Sequence, residues 1–168
     1  GAELNFVWGN RDFLVRGQGF EQRTGFKIRG NGYVFEAAGR RVRVLHGDEL
    51  CLADVSYQRF RRVIRSWPVM CLEGLVSLKL KERIATRLRR VSKKAVANKQ
   101  EAAKTKGINS FGFDDGAVQE LFLGKDETPT GLNAAVAGHI HCEERRPIKA
   151  AAEDAELFVL GSWDDGEA

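Results

Sequence analysis

Between residues 24 and 52 glycines cut the chain into short alternations of apolar and polar residues, and this pattern restricts the fold more than any other. Thr24-Gly25-Phe26-Lys27-Ile28-Arg29 alternates, and Gly30-Asn31-Gly32 supplies a turn. Tyr33–Ala38 follows, and Gly39-Arg40 turns the chain again. Arg41–Leu45 alternates once more, His46-Gly47-Asp48 turns, and Glu49–Leu52 closes the set. Period-two alternation bounded by turn residues predicts an antiparallel hairpin meander. Leu4–Trp8 and Asp12–Arg16 extend it by one or two strands.

The alternation also assigns faces. With Phe26, Ile28, Val42, Val44, Leu50 and Leu52 turned to the core, Lys27, Arg29, Arg41 and Arg43 share the opposite face. Four cations without an acid among them is more one-sided than solubility requires.

Helical periodicity takes over after residue 54. Asp54 or Ser56 is placed to cap a helix through Tyr57, Phe60, Val63 and Ile64, and Pro68 stops it. A longer helix is expected from Lys79 to about Lys104, where Leu80, Ile84, Leu88, Val91 and Ala95 form a narrow apolar stripe among many cations. Gly107 ends it. Asp114-Asp115 caps a short helix through Val118, Leu121 and Phe122. The GKDETPTG segment from Gly124 to Gly131 reads as a loop.

The formal net charge of +4 conceals a strong polarity. Residues 1–54 carry 8 basic and 7 acidic side chains, residues 55–106 carry 15 and 3, and residues 107–168 carry 4 and 13. The segments thus stand at +1, +12 and −9. The expected fold class is α+β: an N-terminal antiparallel β-meander (1–54), a basic helical segment (55–106) and a mixed acidic C-terminal part (107–168), in one compact domain.

Composition removes several classes. Hydrophobic residues at 43% are enough for a core, which excludes a wholly disordered chain. No apolar run approaches the roughly 18 residues of a membrane helix, and no signal peptide is visible. Cys51, Cys71 and Cys142 are odd in number and irregularly spaced, which speaks against a disulfide scaffold and for an intracellular setting, cytoplasmic or nuclear.

The leading functional reading from these residues is a non-catalytic nucleic-acid-binding protein, with RNA favoured over DNA. Arg59, Arg61, Arg62, Arg65, Arg83, Arg87, Arg89, Arg90, Lys93 and Lys94 would hold phosphates along the helices, and Lys27, Arg29, Arg41 and Arg43 would extend the footprint across the sheet. Early aromatics interleaved with arginines, Trp8 and Phe13 above all, suit a stacking platform. A second reading is a self-assembling shell or scaffold subunit, a homo-oligomer joined through matched basic and acidic faces. Membrane binding is disfavoured, because the basic helix has only small residues where lipid contact needs bulky ones.

One cluster has metal-ligand character. His139-Ile140-His141-Cys142 would set both histidines on one face of a strand, where His46, Cys51, Cys71 or a carboxylate could complete a site. A third reading is therefore a metal-dependent enzyme at His139 and His141. No second ligand pair has standard spacing, and no nucleophile elbow or phosphate loop is present, so no cofactor is indicated.

Overall fold

The computed structural model describes residues 2–10, 12, 18–69, 77, 79–80, 83–84, 86–87, 90, 112–125, 130–149 and 155–162, in which helices and strands mix as an α+β fold. Strand β1 (Leu4–Phe6) pairs in parallel with β2 (Phe26–Ile28), and helix α1 (Gln18–Thr24) lies between them in the chain. Hairpin β3 (Tyr33–Ala37) and β4 (Arg40–Leu45) follows as the glycine pattern predicts. Ala38 and Gly39, at φ 50° and 73°, form its turn in the left-handed region that glycine favours.

The expected meander is interrupted before this hairpin, because β2 lies in a separate sheet from β3, and the chain departs from it again after β4. Gly47, at φ 100°, opens a 3-10 turn over Asp48–Leu50 where a further strand is expected. Helix α2 (Val55–Ile64) starts at Asp54, whose carboxylate accepts a hydrogen bond from Tyr57 N at 3.0 Å. It ends before Pro68, which lies within a helical stretch Trp67–Val69. Helix α3 (Asp115–Leu123) is capped by Asp114 in the same way, through Ala117 N at 2.9 Å.

The last third contributes β5 (Ala134–Ala137), β6 (Glu144–Pro147) and β7 (Glu156–Val159). These join the hairpin in a five-stranded sheet of order β3-β4-β5-β7-β6. The three central strands, β4, β5 and β7, run parallel, with Leu45 opposite Ala137 and Ala137 opposite Val159. Antiparallel β3 and β6 form the edges.

The core lies between this sheet and α3. Leu45, Ala135, Ala137, Leu157 and Val159 meet Phe113, Val118, Leu121 and Phe122, with Leu50 and Cys51 beside them. β4 therefore turns Leu45, and by alternation Arg43 and Arg41, towards the main core side, whereas Val42 and Val44 are only half-buried. Period two is correctly read here, but the more deeply covered face is the opposite one, because strands from the other end of the chain complete the sheet.

The expected common basic face is also divided. Lys27 lies in the two-stranded sheet and Arg29 just beyond it, while Arg41 and Arg43 lie in the five-stranded one. Lys27 and Arg29 both pair with Glu3, at 2.5 and 2.8 Å, and the Arg41 guanidinium donates to Thr130 O at 2.8 Å.

A candidate two-histidine active site at the strand ends

The carboxyl ends of adjacent parallel strands are where open sheets of this kind bind ligands, since the connecting loops diverge there. His46 follows β4 directly, and Gly138-His139 follows β5. The two rings meet edge to face with centroids 4.9 Å apart, and His139 Nδ1 lies 3.1 Å from His46 Nε2. That separation fits an N–H···N hydrogen bond between two imidazoles, with the roles set by the tautomer, and equally two ring lone pairs aimed at one cation. Burial pushes both pKa values down, His139 to about 4 with His46 adding to the fall. Asp48 opposes the shift at each ring.

Backbone strain is concentrated at the same place. His139 and His141 have φ of 69° and 54°, a conformation that non-glycine residues adopt at a cost and that collects at functional sites. The strand geometry expected for this motif does not form. His139 is half-buried and faces His46, whereas His141 and Cys142 are exposed.

A turn from the N-terminal segment closes over His46. Asp12 N donates to Gly9 O at 3.2 Å, and Gly9 N donates to Asp12 Oδ2 at 3.1 Å. Gly9 packs so tightly that a Cβ there would stand 2.7 Å from His46 Cε1. Only glycine fits, and Asn10 follows it into the same turn. Trp8, expected on an exposed platform, is instead buried, with the Arg65 guanidinium 4.7 Å over its ring. Phe13 lies outside the described residues.

Beneath the pair sits Asp48, wholly buried. Its carboxylate accepts from Tyr57 Oη at 2.5 Å, from Arg61 Nε at 3.1 Å and from Arg65 Nη2 at 3.1 Å. Burial alone would raise its pKa, but hydrogen bonds from Glu49 and Tyr57 and the charges of Arg65 and Arg61 hold it down at about 2. Tyr57 also stacks on His139, with centroids 6.1 Å apart and planes inclined by 28°. Its hydroxyl is pushed well above the ordinary tyrosine range by burial and by Asp48.

This arrangement changes what the basic residues do. Arg61 and Arg65 point inward to Asp48, away from any phosphate backbone. Arg59 and Arg62 are exposed on α2, and Arg83, Arg87 and Arg90 are exposed and helical. Arg89, Lys93 and Lys94 lie outside the described residues. Sequence alone gives Asp48 a place in a turn and Gly9 no place at all, and neither is marked as a site residue. The legible signal is a stripe at four-residue spacing, Tyr57, Arg61 and Arg65, which puts three hydrogen-bond donors on one side of a helix.

The site has two neutral imidazoles to offer a metal. Among the described residues no group of three or more His, Cys, Asp or Glu converges on a point. A catalytic zinc uses about three protein ligands, so these residues alone do not complete a metal centre. Cys51 is no substitute, because burial pushes its thiol up to about 12.

The chain is 31% identical over 163 residues to UDP-2,3-diacylglucosamine hydrolase of Haemophilus ducreyi, and equally to that of Yersinia pestis and of Yersinia pseudotuberculosis. The match covers 97% of this chain and 62% of each relative. No protein-family model matches.

These relatives are enzymes, which overturns the expectation of a non-catalytic protein. It overturns equally the RNA- or DNA-binding function, nucleic acid as partner, and the self-assembling structural subunit. The physical reason is that net charge counted cations without their directions, and two of the α2-region arginines are committed to a buried carboxylate. The bacterial relatives give a nuclear setting no support. Among the described residues no helix is long and apolar enough to cross a membrane.

Proposed function

We propose that the chain forms the His46–His139 portion of a hydrolase acting on a UDP-linked diacylated sugar. The observation that carries this reading is the histidine pair itself, two half-buried rings 3.1 Å apart at the ends of neighbouring parallel strands, one of them on strained backbone. The match with hydrolases of that substrate along nearly the whole chain supports it. Since the chain spans 62% of their length, the complete activity is part of the proposal.

Such a substrate offers acyl, glycosyl–phosphate and phosphoanhydride bonds. We favour the phosphoanhydride. Its hydrolysis depends mainly on positioning and on donors or cations that stabilise charge on phosphoryl oxygens. Imidazoles kept neutral near pH 7 can accept a proton from an attacking water or return one to the leaving oxygen. The turn at Gly9-Asn10 packs against the His46 ring, and Tyr57 of the buried cluster around Asp48 packs against the His139 ring.

The test is product analysis. The full-length protein, assayed with UDP-2,3-diacylglucosamine with and without added divalent cations, is expected to release uridine monophosphate and an acylated sugar phosphate. His139→Ala should abolish release. Free fatty acid, or uridine diphosphate with a free sugar, would show a different bond is cut, and no turnover under any condition would sink the reading.

A further inference from the structure

Asp48 is the only buried charged residue among the described residues, and it touches neither imidazole through any hydrogen bond in the structure. Its contacts nevertheless lead towards both. Tyr57 gives it a hydrogen bond of 2.5 Å and stacks on His139. Arg65 gives it one of 3.1 Å and lies over Trp8, the residue before the glycine pressed against His46. Asp48 itself is joined to His46 through Gly47, held at φ 100°, where a Cβ would meet Phe113 at 2.9 Å. One carboxylate thus anchors three routes to the two rings.

We propose that Asp48 is the positioning residue of this centre: through Tyr57, Arg65 and the Gly47 link, its carboxylate fixes the separation and tilt of the His46 and His139 rings. This rests on the reading of the pair as the reactive centre. Arg61 supplies the contrast. It binds the same oxygen at 3.1 Å and reaches Glu49 at 3.4 Å, and neither contact leads on to a histidine ring. Arg61 ties α2 to the 3-10 turn, whereas Tyr57 and Arg65 transmit the anchor to the rings.

The experiment separates anchoring from simple stapling. Asp48→Asn, Tyr57→Phe and Arg61→Gln are compared with the parent protein by melting temperature, by kcat and KM, and by proton NMR cross-peaks linking the His46 ring, the His139 ring and the aromatic ring at position 57. Asp48→Asn should weaken the His46–His139 cross-peak at least about twofold and lower kcat by about 10- to 100-fold, the usual range for a group supporting the ligating or reacting residues. KM should stay within about twofold. Tyr57→Phe should weaken the cross-peak to His139 and lower kcat by about 10-fold. Arg61→Gln should lower the melting temperature while leaving the ring cross-peaks in place. Unchanged cross-peaks in a folded Asp48→Asn or Tyr57→Phe variant overturn the proposal. If Asp48→Asn does not fold, Tyr57→Phe decides alone. If the parent protein does not hydrolyse the UDP-linked substrate, the functional reading fails while the cross-peaks still decide the role of Asp48.

Discussion

Arginine meets carboxylate in two regions of this molecule, with opposite consequences. At the carboxyl end of the parallel strands, Arg61 and Arg65 close on Asp48, which has no exposed surface. At the far edge, Arg145 on β6 pairs with Glu156 on β7 at 2.8 Å with its own side chain 69% exposed. Arg146 reaches Glu144 at 2.9 Å and Asp115 at 2.8 Å, the latter 89% exposed. The bond lengths hardly differ. Burial decides which pairs matter, because solvent screens the exposed edge pairs far more than the Asp48 cluster. A buried cluster of this kind is costly to assemble and more costly to break, which suits it to holding geometry.

The largest effect should come from breaking the buried side. Asp48→Ala leaves two poorly exposed guanidiniums without their carboxylate and should cost about 3–5 kcal/mol in urea unfolding. A loss under about 1 kcal/mol would mean the cluster is not a unit.

Acid should attack the same end first. The folded pKa of His139 lies near 4, below the ordinary 6.5, so the unfolded chain binds the extra proton between those values. The stability contributed by the neutral ring is fully present above about pH 6.5 and falls as pH drops towards 4, by on the order of 3 kcal/mol. Asp48, held at about 2, adds a second loss below its ordinary 3.8. Melting temperatures from about pH 7.5 to about pH 3 check this, and His139→Gln should shrink the first stage to the part that His46 contributes.

Gly47→Ala comes next. At φ 100°, with Phe113 2.9 Å from the new methyl, it should cost about 1–3 kcal/mol and disturb the Asp48 turn. The smallest effect belongs to the edge. Arg145→Ala should change stability by less than about 1 kcal/mol, and less still in high salt.

Sequence alone made the local structure legible where local rules govern it. The β3–β4 hairpin follows from glycines around period-two runs, and the α2 start follows from Asp54. The sheet order was not legible, since β5 and β7 enter between β4 and β6 from the far end of the chain. The His139-x-His141 motif was visible with His46 among several candidates to complete it, but nothing local singles out His46, which lies 93 residues from His139 in the chain. Nothing in the motif reveals that left-handed backbone turns His139 inward. The arginines misled for a related reason: Arg61 and Arg65 look like solvent cations until Asp48, 13 and 17 residues earlier, is folded beneath them. Charge is additive along a sequence, but its direction is set by tertiary packing.

The central claim is that His46 and His139 act as one catalytic unit at the strand ends. A double-mutant cycle on hydrolysis of UDP-2,3-diacylglucosamine tests it most directly, using His46→Ala, His139→Ala and the pair. Each single variant should lose about 100-fold or more in kcat/KM, and the double variant should be little worse than either, the non-additivity of residues acting as a unit. Losses that simply multiply, or a single variant that keeps its activity, would contradict it.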